Sequence, residues 1–314
     1  MGSVVISLDA ELGWGFHDLP ALPAERVARA RWGWKQTLEL LDAYEIPATW
    51  AVVGHLMLGE CDGRHENHPT PPGWFERERT DWADRPDLRF GTGLVSAILD
   101  SPIGHEIGSH SFSHVLFDDA DTTADIARAE CERAIEIAEE WGLSLRSFVF
   151  PRNEVGHREV LADTGFSTYR SRADDPEGAH AVVRDVLRPT SLLVTPSIDE
   201  FGLVDVPPSL FAFGFEGSLR RIGETLWDDP MVALAHRGID QAVAGDGVFH
   251  LWFHPNNVTT DRDAQRMRRI FAYLARRRDE TSLQVETMGQ IGRRTVAVSE
   301  ADAGPGITSN TPHG

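Results

Sequence analysis

The sequence predicts a parallel α/β fold, on three observations. Short apolar runs of strand length recur along the chain, long amphipathic helix patterns separate several of them, and polar clusters follow the carboxyl ends of four strands. A parallel crossover needs a dozen or more residues, which these helix patterns supply.

Val4 to Leu8 is the first strand. Pro23 to Tyr44 follows as a helix with Val27, Trp34, Leu38 and Leu41 on one face, and Pro23 falls near the first turn, where its missing N–H costs nothing. Ala48 to Val53 is the second strand. Gly59 to Arg89 is rich in Pro, His, Asp, Arg and Trp and has neither strand nor helix period, so it reads as a long loop inserted before the third strand, His105 to Ser109. Thr122 to Trp141 is a helix, with Thr122 and Asp125 as a capping box and Gly142 as its stop. Arg146 to Phe150 and a weaker Phe166 to Arg170 are the next strands. Val248 to Phe253 and Leu283 to Glu286 flank a helix from Asp261 to about Arg278, which turns Met267, Ile270, Phe271 and Leu274 inward. Seven strands suit an incomplete or distorted barrel and an open doubly wound sheet equally. Residues 1–294 read as one catalytic domain, and Thr295 to Gly314, mostly small, polar or helix-breaking, as a disordered tail.

Composition narrows the function. The chain has 49 Asp and Glu against 30 Lys and Arg, a net charge of −19, which repels nucleic-acid phosphates and anionic lipid. Lys35 is the only lysine. Such a surface suits high salt, where a Debye length of about 3 Å at 1 M screens self-repulsion; coding bias on an ordinary acidic surface gives the same composition. Cys61 and Cys131 lack CxxC spacing, so reduced structural cysteines are expected, with neither a disulfide framework nor a thiolate metal site. No run is long and apolar enough to span a membrane and no signal-peptide pattern opens the chain, so a cytoplasmic protein is expected.

The chemistry lies at the strand ends. Asp9 and Glu11 follow the first strand, His110 and His114 the third, Arg152 the fourth and His254 a late one. In parallel α/β folds ligands bind beyond that edge. On a helical turn, the spacing of His110 and His114 puts both imidazoles on one face with Cβ atoms roughly 5–6 Å apart, which suits two ligands of one tetrahedral ion. Asp9 and Glu11, two apart, share a strand face if the strand persists to Glu11: one carboxylate can ligate the ion while the other takes a proton from water. Arg152 can hold the base carboxylate ionised. His254, favoured over His250 because it ends the strand, can protonate a leaving amine. Backbone N–H groups near Arg152 and Asn153 are candidates for an oxyanion site. His65 and His68 in the inserted loop are weaker metal candidates, and His17, His55, His105, His157, His180 and His236 carry no spacing argument. No GxSxG, P-loop or GxGxxG follows any strand.

The ordered set Ser7-Leu-Asp-Ala-Glu11, Ala48-Thr-Trp-Ala-Val-Val-Gly54, His105-Glu-Ile-Gly-Ser-His-Ser-Phe-Ser-His114, Phe150-Pro-Arg-Asn153 and Leu251-Trp-Phe-His-Pro255 resembles the polysaccharide deacetylases, the NodB-homology carbohydrate esterases. The resemblance spans about residues 4 to 294. It implies a distorted (β/α)7 barrel and metal-dependent removal of an N- or O-acyl group from a sugar. By position it implies Asp9 as base, Glu11, His110 and His114 as ligands of a divalent ion (zinc first, with cobalt, nickel or manganese as alternatives), Arg152 as the base's partner and His254 as acid. The family's first motif usually has adjacent aspartates. Here Ala10 separates Asp9 from a glutamate, and either carboxylate can take the ion. The family's later Asp-and-Trp motif has no clear counterpart, with Asp174, Asp175 and Asp199 as candidates. The implied partner is an acylated sugar or glycan precursor. Two other readings stand beside it: an amidohydrolase acting on a non-sugar amide, and a catalytically silent glycan-binding or assembly protein.

Overall fold

A computed structural model of the chain describes residues 1–172, 191–214 and 229–303. The strands are β1 (Ser3–Ala10), β2 (Thr49–Val52), β3 (Glu106–Ser109), β4 (Ser147–Val149), β5 (Thr168–Arg170), β6 (Ser197–Ile198), β7 (Val204–Asp205), β8 (Leu210–Phe211), β9 (Val248–Phe253) and β10 (Gln284–Glu286). The helices are α1 (Ala24–Ala43), α2 (Glu76–Arg79), α3 (Pro86–Arg89), α4 (Thr92–Leu99), α5 (Ala124–Glu140), α6 (Arg158–Asp163), α7 (Pro230–Ala244), α8 (Asp261–Glu280) and α9 (Met288–Ala303). All seven strands expected from the sequence form, and three short ones join them.

One sheet runs in the order β6-β7-β5-β4-β3-β2-β1-β9-β8, with β10 also on β1. Every pair is parallel except β6 with β7. Among the described residues β8 and β6 are unjoined ends, so the sheet is a curled, incomplete barrel, the distorted (β/α) type expected. The central strand β1 pairs through Ser3 to Leu8 with β9, and on its other side with β10 through Ser3 to Val5 and with β2 through Ser7 to Ala10. Every one of its residues is buried, as a strand covered on both faces requires.

Side-chain alternation along β1 turns Val5, Ser7 and Asp9 the same way, toward the barrel interior. At the bottom of that interior Val5 packs with Ala51, Val149, Val204 and Val248. Met288 and Ile291 of α9 complete this cluster. The start of α9 is pinned to the amino ends of the strands: Met288 N–H donates to Thr49 Oγ1 at 2.8 Å and Gly289 N–H to Glu106 at 3.0 Å. Helix α9 therefore closes the end of the barrel opposite the candidate site. A larger aromatic core lies outside the sheet, where Phe148 packs on Phe117, Phe150 and Phe166.

Three expectations are corrected. The chain is helical to Ala303, so residues 295–303 are not a tail; 304–314 lie outside the described residues. Gly289, Gly292, Thr295, Val296 and Val298 make Met288–Ala303 a weak helix former, and burial of Met288 and Ile291 overrides that propensity. The cap of α5 is Thr123, whose hydroxyl accepts from Ile126 N–H, whereas Thr122 donates to Leu116 O. The segment 59–89 carries the short helices α2 and α3 and buried Phe75, Glu78, Trp82, Leu88 and Arg89, so it is a packed insertion rather than a plain loop. Helix α7 was not expected either.

Helix α1 positions the turn after β9. Gly33 lies so close to it that a Cβ would stand 2.3 Å from Pro255 O and 2.4 Å from Val258 O.

If α9 is the plug of the barrel, Ile291→Ala should lower the unfolding free energy by about 2–5 kcal/mol. A urea midpoint equal to that of the parent chain would count against this role.

Candidate active site

Both oxygens of Asp9 accept from Arg170, Nη1 and Nη2 each at 2.7 Å. Arg170 is the last residue of β5 and fully buried. It also donates to Ser7 Oγ at 2.9 Å and Asn153 Oδ1 at 2.8 Å, and its guanidinium lies 4.4 Å from the Trp252 ring. Burial by itself pushes the Asp9 carboxyl up; the Arg170 charge, followed by that of His254, outweighs this and holds it below the ordinary range.

Glu11 follows β1 and faces two imidazoles. Its Oε2 is 3.3 Å from His114 Nε2 and 3.5 Å from His110 Nε2. Burial opposes its ionisation, but His254 and the two facing imidazoles hold it well below the usual value. The turn Trp14–Phe16 folds over this carboxylate, and the glycine at its centre is required: a Cβ on Gly15 would stand 2.0 Å from Glu11 Cδ.

The His110 to His114 segment is not the helical turn expected. It is an irregular loop in which Ser111 (φ 60°) and His114 (φ 64°) are left-handed, and His114 N–H donates to Ser111 Oγ at 2.9 Å. The rings still converge, with centroids 5.0 Å apart. His110 Nδ1 donates to Val149 O at 2.8 Å, which leaves a lone pair on Nε2. Buried His110 Nε2 has no hydrogen-bond partner among the described residues. Buried Glu130 of α5 fixes the loop, accepting from Ser113 N–H and Oγ–H, both at 2.7 Å. His68 donates to the same Glu130 at 2.9 Å, and Trp74 donates to Ser113 O at 3.1 Å. His68 is thus a brace rather than a metal candidate.

His254 follows β9 with Nε2 3.6 Å from Asp9 Oδ2 and 3.8 Å from Glu11 Oε1, its side chain 26 % exposed. Nδ1 lies 3.1 Å from Asn257 Oδ1, a neutral acceptor that aims Nε2 at the acids. His250 is buried below. Its Nδ1 donates to Val206 O and Pro207 O, and its Nε2 accepts from Ser7 Oγ at 2.8 Å. Burial and then Arg170 push its pKa down to about 3, so it is a neutral support for the chain Ser7–Arg170–Asp9.

Arg152 is not at Asp9. It lies on a turn after β4 where both Arg152 (φ 58°) and Asn153 (φ 55°) are left-handed, which sends its guanidinium outward to Asp18 at 2.6 Å and Gly15 O at 3.1 Å. It steadies the turn over Glu11, and the cation at Asp9 is Arg170. Asn153 N–H closes that turn on Phe150 O at 2.9 Å. Asp199 is occupied by Arg158 and the Phe201 and Leu203 N–H groups. Asp174, Asp175 and His180 lie outside the described residues. His17, which had no sequence signal, is stacked near Trp14 and Trp74; burial and the neighbouring His114 push its pKa down to about 4.

Two imidazole nitrogens and a carboxylate oxygen thus converge, all within 4.8 Å of one another, around a buried lone pair without a partner. This donor set fits a divalent cation.

A barrel of this topology with acids and histidines at its strand ends is of the NodB-homology type. The family profile for polysaccharide deacetylase matches residues 16–167, just under half of the chain. The matched stretch holds His110, His114 and Arg152 but not Asp9, Glu11, Arg170 or His254. Among solved structures, a putative polysaccharide deacetylase from Mycobacterium smegmatis is 18 % identical with a TM-score of 0.62, covering 95 % of this chain and 91 % of that one. The allantoinase PuuE is 14 % identical with a TM-score of 0.59, covering 94 % and 90 %. A probable polysaccharide deacetylase from Pseudomonas aeruginosa PAO1 is 13 % identical with a TM-score of 0.58, covering 93 % and 89 %. No protein of curated function matches the chain in sequence.

The two arginines should separate in stability measurements. Arg170→Met leaves Asp9 buried without its cation and should cost about 3–5 kcal/mol. Arg152→Met breaks a partly exposed pair and should cost about 1 kcal/mol or less. Equal urea midpoints for the two variants would contradict this.

Proposed function

We propose that the chain is a metal-dependent hydrolase that removes an acyl group, in the first place acetyl, from an amino sugar or glycan precursor. The observation that carries this reading is the convergence of an Arg-held carboxylate, a Glu/His/His donor set and a partly exposed imidazole at one barrel mouth.

Glu11, His110 and His114 would hold the cation, with zinc favoured by two imidazoles and one carboxylate. When bound, the cation supplies Lewis-acid polarisation and makes water more acidic. Asp9, kept ionised by Arg170 and 3.6 Å from His254, takes the proton from the attacking water. His254, reachable from solvent and oriented by Asn257, delivers a proton to the departing amine, so that acetate and a free amino sugar leave.

A second substrate class, a cyclic or linear amide that is not a sugar, is favoured by the Asp-Ala-Glu departure and by the fold shared with an allantoinase. Among the described residues no helix is long and apolar enough to cross a membrane, and we place the protein in the cytoplasm.

Acetate release from acetylated hexosamines, run beside ring opening of hydantoins at low and high salt, tests the reading; ligand binding with no turnover in metal-supplemented protein would identify a silent binding protein instead. His110→Ala and His114→Ala should each lose bound metal and turnover together, and full activity in either would refute the assignment. Asp9→Asn should keep the metal and lower kcat by about 10²–10⁴-fold.

A further inference from the structure

We propose that His55, Cys61, His65 and Glu78 form a second divalent-metal site, a structural zinc centre that pins the inserted segment to the barrel. The four side chains come from three places. His55 lies in the turn Gly54–Met57 after β2, Cys61 and His65 in a tight loop, and Glu78 in α2. The loop is wound by left-handed Gly63 (φ 74°), His65 (φ 47°) and Asn67 (φ 69°), which brings Cys61 and His65, four residues apart, to one point.

Each residue offers one donor atom, and the four atoms lie within 4.8 Å of one another. Glu78 Oε1 is 2.9 Å from His55 Nε2, Glu78 Oε2 is 2.7 Å from His65 Nε2, and Cys61 Sγ is 3.4 Å from His65 Nε2. The Nδ1 of His55 donates to Arg89 O at 3.1 Å, so in the neutral ring its Nε2 carries the lone pair. That Nε2 is fully buried and has no hydrogen-bond partner among the described residues, although it faces the carboxylate. A neutral imidazole lone pair directed at a carboxylate is repulsive unless a proton or a cation stands between them. Here the ring's other nitrogen is fixed by a backbone carbonyl, the usual setting of a metal-ligating histidine.

The surroundings match that of a bound ion. Gly63 N–H points at Cys61 Sγ at 3.3 Å and stabilises negative charge on sulfur. Arg89 holds Glu78 Oε1 from Nε at 3.0 Å and Nη2 at 2.7 Å, and reaches Cys61 O at 2.6 Å. Two nitrogens, one sulfur and one oxygen select zinc or cobalt over magnesium or calcium, and four protein donors with no open position make a structural rather than a catalytic site. Thiolate and carboxylate together neutralise the ion's two charges.

The centre's location gives it a purpose. Phe112, between the two histidines of the candidate active site, packs against His55 and His65 with ring centroids 5.6 and 5.5 Å away. Phe75 stacks on His65 at 3.8 Å. An ion there locks the insertion whose His68 and Trp74 brace the His110 to His114 loop.

The test uses the full-length chain. With His110 and His114 both changed to Ala, the purified protein should retain one equivalent of zinc. In cobalt-exchanged parent protein, a near-ultraviolet thiolate-to-cobalt charge-transfer band should appear; the Glu11, His110 and His114 set holds no sulfur and cannot produce it. Cys131→Ser should keep the band and Cys61→Ser should abolish it. No band in the parent protein, or no metal in the double-alanine chain, would overturn the proposal whatever the activity of the enzyme.

Discussion

The bidentate ion pair between Asp9 and Arg170 is the constraint on which the rest of the site depends. In the sheet β2, β3 and β4 separate β1 from β5, so on a flat sheet the two strands would be about 19 Å apart, four spacings of about 4.8 Å. Contacts of 2.7 Å between their side chains exist only because the sheet curls. The pair is buried, so its ions lose hydration that good geometry must replace. Ser7, Asn153 and the Trp252 ring add to the guanidinium's partners, and His250 accepts from Ser7. The barrel interior is therefore layered, with apolar residues and the α9 plug at the bottom, a polar layer in the middle and the acids and imidazoles of the candidate site at the mouth.

The mouth itself is held from outside. The Trp14–Phe16 turn covers Glu11 and is tied by Arg152 to the end of β4, while Glu130 and the inserted segment hold the loop between His110 and His114. Left-handed Ser111, His114, Arg152 and Asn153 show that the backbone at this rim departs from relaxed conformations, which neighbouring contacts must maintain. Buried carboxylates carry much of this work: Glu130 and Glu78 each organise a loop that has no regular secondary structure of its own.

Much of the fold was legible in the sequence. A buried strand such as Val4 to Leu8 is visible as a short apolar run, and strand-end chemistry follows from the direction of parallel strands, which is how Asp9, Glu11, His110, His114 and His254 were found. The same rule applied to the weak strand Phe166 to Arg170 points to Arg170, but Arg152 drew the assignment because it follows a stronger strand beside a proline. Helix α9 escaped because its stability lies in Met288 and Ile291 entering the barrel, not in its own propensity.

The sequence by itself determined the order of seven strands and three long helices, the resemblance to the polysaccharide deacetylases, and that Asp9, Glu11, His110, His114 and His254 follow strand ends, because periodicity and motif spacing are local properties of a chain. Only the tertiary structure decided that Arg170 rather than Arg152 neutralises Asp9, that Glu11 rather than Asp9 faces both imidazoles, and that Cys61, without any cysteine partner in sequence, meets His55, His65 and Glu78. Those outcomes depend on the curl of the sheet and on loops wound through left-handed residues, and contacts between distant segments have no period to read.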